Sequence, residues 1–195
     1  MKKLILFLTI FISHQPFAAT NSIVGGGVSP ITQYPYEGSI YGLRFNPGWG
    51  SHEKVYGLDM SLIGGITSKA FAGAAVAGFF NTNLSTANII GFQIAGLGNF
   101  NLGKTRVYGI QFGNILNVNS GQAFIYGLQA SIFANLGKNY VKGIQIGVYN
   151  RAEIVKGLQI GVINSAGSLH GIQIGLLNFH NKGAIPFFPG INIGF

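Results

Sequence analysis

The sequence has few charged residues and no cysteine. Charged side chains make up 8% of its 195 residues, about a third of their share in soluble domains. The absence of cysteine excludes a disulfide framework, thiolate metal sites and a cysteine nucleophile. After residue 20 there is also no unbroken apolar run of the roughly 18 residues that a transmembrane helix needs. Hydrophobic residues (48%) and glycine (31 positions) are abundant instead. This combination indicates β-structure that faces something other than water.

The charge balance is basic, but the basic residues are scattered. The formal net charge is +8, with only four carboxylates in the whole chain. Most of the basic side chains fall near expected turns, and no dense run of them is interleaved with aromatic residues in the way that nucleic-acid-binding surfaces show. We therefore expect no nucleic-acid partner.

The first 19 residues have the pattern of a secretory signal peptide. Lys2 and Lys3 precede an apolar block from Leu4 to Ile12, and a polar stretch then ends in Ala18 and Ala19. An uncleaved N-terminal anchor is the alternative. We therefore expect a signal peptide over residues 1–19, an irregular leading segment over 20–35 and a single repeat domain over 36–195.

A repeat of 14 to 19 residues runs through that domain. Its unit is Gly, apolar, Gln, apolar, small, with an Asn near the end, as in Gly143 to Asn150 and Gly157 to Asn164. Such self-similarity is typical of repeat architectures. Ten units begin at glycines 42, 57, 73, 91, 109, 127, 143, 157, 171 and 190.

Each unit alternates with a period of two, which predicts a β-strand with two different faces. Ile144 and Ile146 lie on one face, and Gly143, Gln145 and Gly147 lie on the other. Two architectures fit this pattern. One is an antiparallel transmembrane β-barrel of about ten strands, with apolar residues toward lipid and the glycines and amides toward the lumen. The other is a β-solenoid with its apolar row inside and its polar row toward water.

Three features favour the barrel. The number of units is even, the Gly-x-Gln-x-Gly core reads the same in both chain directions, and glycine would have no advantage on a water-exposed solenoid face. One feature opposes it. Only three apolar positions separate Lys142 from Asn150, whereas a barrel has an apolar band about 25 Å tall.

The C-terminal residues Phe187 to Phe195 resemble the terminal strand of bacterial outer-membrane barrels. Gly190, Ile193 and Phe195 fit that strand's pattern, and Phe188 departs from it because a polar residue is usual there. The resemblance implies a Gram-negative outer-membrane location, outer-membrane lipid as the surroundings and the barrel-assembly machinery as a partner. The repeat also resembles a group of bacterial surface proteins with Gly-x-Gln-x-Gly-x-x-Asn units. That second resemblance implies export and no particular activity.

In the barrel interpretation a row of polar side chains would line and largely fill the lumen, and Arg44 and Asp59 would form an ion pair because they hold equivalent positions of adjacent units. We find no Ser–His–Asp arrangement and no metal-binding spacing, so we expect no enzyme, no metal and no cofactor. The function expected is a structural or surface role in the outer membrane. The alternatives are a secreted or cell-surface solenoid that binds through a polar face, and a narrow pore. The expected lumen-lining residues are Arg44, Asp59, Gln93, Gln111, Gln129, Gln145, Gln159, Gln173 and Asn192.

Overall fold

The computed structural model describes residues 21–195 apart from residues 30, 36, 37 and 184. The expected signal peptide lies outside the described residues. Among them, no helix is long and apolar enough to cross a membrane. The described chain forms one β-sheet of thirteen strands: β1 (Ser22–Gly26), β2 (Ser39–Asn46), β3 (Trp49–Ser61), β4 (Gly64–Ala77), β5 (Phe80–Asn83), β6 (Thr86–Ala95), β7 (Gly98–Asn101), β8 (Thr105–Gly113), β9 (Leu116–Ser131), β10 (Ala134–Ile146), β11 (Tyr149–Ile160), β12 (Ile163–His180) and β13 (Phe187–Gly194).

Successive repeats from β2 to β12 pair in parallel, and the glycines that begin them lie opposite each other except between β4 and β6, where Gly73 lies opposite Ile89. Gly143 of β10 lies opposite Gly127 of β9 and Gly157 of β11, and Gly157 lies opposite Gly171 of β12. The chain therefore winds into a parallel β-solenoid of about nine turns. The prediction of an antiparallel, transmembrane outer-membrane β-barrel is wrong, and the solenoid alternative is the observed fold. Of the thirteen strands, only β12 and β13 pair with each other in antiparallel fashion.

The coil from Gly143 to Gly157 shows how a repeat of 14 to 18 residues forms one turn of the solenoid. The chain changes direction at Gly143, runs through Ile144 to Ile146, and bends again at residues 147–148. It then turns Asn150 and Val155 inward before it reaches the next corner at Gly157. The bend after the Gln-containing segment returns the chain to the same side, so the next repeat starts directly above the first.

The corner glycines are required by both backbone conformation and space. Gly157 has φ +140°, a region that L-residues rarely adopt. A Cβ on Gly157 would also lie 2.1 Å from the carbonyl oxygen of Gly143 in the coil below. Most of the repeated glycines thus mark a column where neighbouring backbones approach too closely for a side chain, and Gly91 and Gly190 are the exceptions, with nothing within 4 Å of an added Cβ.

Among the described residues, one column of large side chains inside the solenoid is apolar. Its members are β-branched or other large apolar residues, which pack well on a pleated surface. The column is offset once, because Phe71 of β4 lies opposite Ala87 of β6 and Ile89 lies opposite Gly73. Most of the remaining interior is filled by amides and small residues. The column consists of Ile40, Val55, Phe71, Ile89, Val107, Ile125, Val141, Val155 and Leu169.

Both ends of the solenoid are covered by additional strands. At the N-terminal end, β1 pairs in parallel with β2. At the C-terminal end, β13 runs antiparallel along β12, and Asn178 Nδ2 donates to the carbonyl oxygen of Gly190 (2.9 Å). Open edges of a β-structure would otherwise offer unpaired backbone groups to other chains.

Candidate binding surface

A glutamine ladder runs through the inside of the coils. Gln159 Nε2 donates to Gln145 Oε1 (2.6 Å), and Gln159 Oε1 accepts from Gln173 Nε2 (2.7 Å). Asn192 of β13 ends the ladder by donating to Gln173 Oε1 (3.1 Å). Because buried amides must find partners, the stacked arrangement satisfies each side chain by the one above and the one below. The ladder fixes the register of the coils.

A second ladder is built from asparagines just after the bend of each coil. Asn150 Nδ2 donates to Asn164 Oδ1 (2.9 Å) and to the carbonyl oxygen of Ile160 (2.8 Å). Asn164 makes the equivalent bonds to Asn178 Oδ1 (2.9 Å) and to the carbonyl oxygen of Ile174 (2.9 Å). This ladder therefore also satisfies the backbone carbonyl groups at the bends. It runs through Asn81, Asn99, Asn117, Asn135, Asn150, Asn164 and Asn178.

The two ladders donate in opposite directions. Each glutamine from Gln111 to Gln173 donates to the preceding coil, whereas the asparagines from Asn81 to Asn164 donate to the following one. The repeat pattern predicts enclosed glutamines but gives the asparagines no interior position. The signal that could have revealed them is their regular offset from the glutamine, six residues in the three repeats from Gln93 to Asn135 and five in the last three.

A buried ion pair takes the glutamine positions in the first two coils. Arg44 and Asp59 are opposite each other in β2 and β3 and are 1% and 2% exposed. Arg44 Nε donates to Asp59 Oδ1 (2.8 Å), Arg44 Nη2 donates to Asp59 Oδ2, and Arg44 Nη1 donates to the carbonyl oxygen of Ile66 (2.8 Å). This bidentate geometry is the strong form of the interaction. Every nitrogen of the guanidinium group has an acceptor, so the pair replaces the amides without leaving a free charge.

Two histidines lie near the ends of the solenoid and have lowered pKa values. Burial, with a smaller contribution from the positive charge of Arg44, lowers the pKa of His52 to about 4. Burial, and then the nearby His170, also lowers the pKa of His180. His180 Nε2 accepts a hydrogen bond from the backbone N–H of Leu169 (3.1 Å), which only the neutral ring can do. Both histidines therefore favour the uncharged form in the folded protein.

The opposite side of the glutamine-containing strands forms an apolar outer surface. In every repeat, the residues one and three positions after the corner glycine point outward, and all of them are apolar. We call this surface the outer sheet face. It consists of Leu43, Phe45, Leu58, Met60, Ala74, Val76, Phe92, Ile94, Ile110, Phe112, Leu128, Ala130, Ile144, Ile146, Leu158, Ile160, Ile172 and Ile174, with Ile191 and Ile193 of β13.

These side chains are accessible. Ile144, Ile146, Ile172 and Ile174 remain 38–41% exposed. The expected solenoid arrangement, with the apolar row inside and the polar row toward water, is thus reversed in this chain. Ten strands spaced about 4.8 Å apart give the face a length of about 43 Å. Monomeric soluble proteins rarely expose contiguous apolar patches of this extent unless the patch binds something.

A column of tyrosines and basic residues borders this face. It is formed by the residue immediately before each corner glycine from Gly42 to Gly171, and all but two of its nine members are tyrosine or basic. We call it the edge column: Tyr41, Tyr56, Ala72, Ile90, Tyr108, Tyr126, Lys142, Lys156 and His170. Tyr41 stacks on Tyr56 and Tyr108 stacks on Tyr126, each with 5.1 Å between ring centroids. The last three members place basic side chains on consecutive coils.

A shallow apolar groove lies beside the outer sheet face at its C-terminal end. It follows the bends, where Val148 and Val162 stand across from Ile146 and Ile160 of the face. Ile191 of β13 closes its end. The groove continues the apolar surface around the corner of the coil, so the accessible apolar area extends beyond the two columns of the face itself.

The structure places all nine residues expected to line a lumen inside the solenoid, where each is 7% exposed or less. Arg44 and Asp59 form the expected ion pair. Of the three residues expected to form an assembly signal, Gly190 and Ile193 lie in β13, where Ile193 extends the outer sheet face, and Phe195 follows the strand with its side chain exposed. Within the described ranges, no group of three or more histidine and acidic side chains is placed to hold a metal ion.

Comparison of the chain with protein-family models, with curated proteins and with solved structures gives no significant match.

Proposed function

We propose that this protein is an exported β-solenoid binding module, secreted or held at the cell surface, that binds an apolar partner through the outer sheet face. The single observation that carries the proposal is the combination of a polar, hydrogen-bonded interior with twenty apolar residues facing outward. The sequence suggested a solenoid that binds through a polar face, whereas the binding surface proposed here is the apolar side of the strands.

The interior supports a binding role because it makes the surface rigid. From Gly91 to Gly171 the amide ladders and corner glycines hold successive coils in register, so the outward side chains of these coils keep a spacing of about 4.8 Å. A preorganised surface loses little conformational entropy on binding. The pattern of a signal peptide over residues 1–19 and the resemblance to bacterial surface-repeat proteins support export.

The test compares apolar and polar sides of the same coils. Ile146→Thr, Ile160→Thr and Ile174→Thr together would remove apolar area from one column of the face while keeping β-branched side chains. Arg151→Thr, Glu153→Thr and Ser165→Thr change three outward residues beyond the bends and form the control. Micelles of an uncharged alkyl-glucoside detergent serve as the apolar probe, and binding is measured by sedimentation velocity.

We expect the unmodified chain and the control to sediment with the micelles and the isoleucine variant to bind at least ten-fold more weakly. Circular dichroism verifies that all three proteins are folded. Equal micelle binding by the two triple variants, or none by the folded unmodified chain, would overturn the proposed function.

A further inference from the structure

The edge column points to the kind of surface that the outer sheet face binds. We propose that the face docks on an anionic lipid surface, with the isoleucines against acyl chains and the edge column at the headgroups. The inference rests on the proposed function above and names the partner of that same site.

The lysines of the edge column lie on adjacent coils. Lys142 and Lys156 are opposite each other in β10 and β11, and His170 follows in β12. Among the described residues neither lysine has an ion-pair partner, since the salt bridges there are Arg44 with Asp59 and Lys69 with Glu53. Two exposed ammonium groups on adjacent coils repel each other, and an anionic headgroup between them would relieve that repulsion.

Side-chain types follow one another across the coil in the order that a lipid surface requires. The aromatic and basic edge column is directly followed, beyond the corner glycine, by two columns of aliphatic residues. Tyrosine and lysine suit the boundary between lipid headgroups and hydrocarbon, because each has an apolar stem and a polar tip. Tyr41 and Tyr56, and Tyr108 and Tyr126, provide this boundary on four of the coils that lack the lysines, while Ala72 and Ile90 hold the same position on two others.

The outer sheet face itself carries no charged side chain. All twenty of its positions are uncharged and apolar, while Arg44 and Asp59 of the same strands are turned inward and paired. A face that enters the headgroup region binds with a strength that follows the apolar area buried plus its attraction to anionic lipid. A second copy of this chain suits the face less well, because each molecule carries a formal charge of +8, or +6 without Lys2 and Lys3 of the expected signal peptide, and like charges oppose association.

The experiment measures binding to vesicles by co-flotation. One vesicle type contains phosphatidylcholine alone, and the other contains equal parts of phosphatidylcholine and phosphatidylglycerol. The variant Lys142→Gln with Lys156→Gln removes the edge-column charges. The matched control, Lys104→Gln with Lys138→Gln, removes two exposed lysines that precede the inward residues Thr105 and Asn139, away from the outer sheet face.

We expect binding to the anionic vesicles to exceed binding to the neutral ones at least ten-fold. The edge-column variant should lose about twenty-fold in affinity for the anionic vesicles, and the control should lose less than five-fold. The isoleucine variant described above should lose binding to both vesicle types.

Three outcomes would overturn the inference. Equal binding to both vesicle types would exclude a preference for anionic lipid. The proposed function would still stand in that case if the unmodified chain bound the micelles. Full vesicle binding by the isoleucine variant would show attachment by charge alone. A lipid-free dimer of the unmodified chain, absent in the isoleucine variant, would assign the face to a second copy of the chain.

Discussion

Gln173 donates a 2.7 Å hydrogen bond to Gln159 in the coil below, and both side chains are fully buried. Replacement of Gln159 by leucine would leave Gln145 Oε1 without its donor and would remove one of the two acceptors of Gln173 Nε2, the other being the carbonyl oxygen of Phe179. A buried polar group that loses its partner costs about 1–3 kcal/mol. We therefore expect Gln159→Leu to lower the free energy of unfolding by about 2–4 kcal/mol.

Urea denaturation followed by circular dichroism measures this loss. Ser165→Ala, at an outward position of the neighbouring coil, is the control and should change stability by less than about 0.5 kcal/mol. A similar small effect from both substitutions would mean that the glutamines are not packed in a buried ladder.

Corner glycines differ in how closely the next backbone approaches. At Gly157 an added Cβ would meet the carbonyl oxygen of Gly143 at 2.1 Å, whereas at Gly91 (φ +94°) nothing lies within 4 Å. Gly91→Ala should therefore lower the free energy of unfolding by only about 1–2 kcal/mol, the cost of holding an L-residue at positive φ. Gly157→Ala adds a steric clash and should cost at least twice as much or prevent folding. Thermal unfolding of the two variants compares them, and a larger loss at Gly91 would contradict the observed stacking.

The buried ion pair can be tested against the ladder that it replaces. Asp59→Asn would leave the Arg44 guanidinium buried without its counter-charge, which typically costs about 3–5 kcal/mol. The double variant Arg44→Gln with Asp59→Gln introduces the residue type found at these positions in later coils. We expect it to be more stable than Asp59→Asn alone in chemical denaturation. The reverse order would show that the charges themselves are needed to fold the first coils.

Stability should fall on acidification because His52 is held neutral. The pKa of His52 is about 4 in the folded chain, against an ordinary value of 6.5. Between these values the unfolded chain binds more protons than the folded one, so stability decreases as pH falls. The contribution is complete above pH 6.5 and is lost as pH decreases from 6.5 to 4. His52→Gln, which keeps a donor toward the carbonyl oxygen of Tyr34, should show a smaller loss between pH 7 and 4.5 in thermal melts. Identical pH profiles would contradict the burial of this ring.

Periodicity alone predicted the strands, the crowded glycine column and the burial of glutamines such as Gln145. It did not predict the direction of pairing. The core from Gly143 to Gly147 reads the same from either end, so in-register stacking is compatible with parallel coils and with antiparallel hairpins. The two arrangements differ at residues 147–148, where the chain bends in the solenoid. This bend turns Asn150 inward, on the same side as Gln145, although the two residues are five positions apart and would lie on opposite faces of a regular strand. A strict period of two places Asn150 on the apolar side, and that assumption favoured the barrel.

The central claim, parallel coils in register, is tested most directly by distances between pairs of spin labels on cysteines introduced into this cysteine-free chain. One pair replaces Lys142 and Lys156, and the other replaces Tyr149 and Ile163, each pair being opposite in the sheet. Parallel stacking places the backbones of both pairs about 4.8 Å apart, so dipolar broadening should be strong in both. In an antiparallel hairpin, only one of the two label pairs could be close, because residues that lie opposite each other move apart along the chain in opposite directions. If either pair were separated by more than about 20 Å, the result would contradict the solenoid and the binding surface inferred from it.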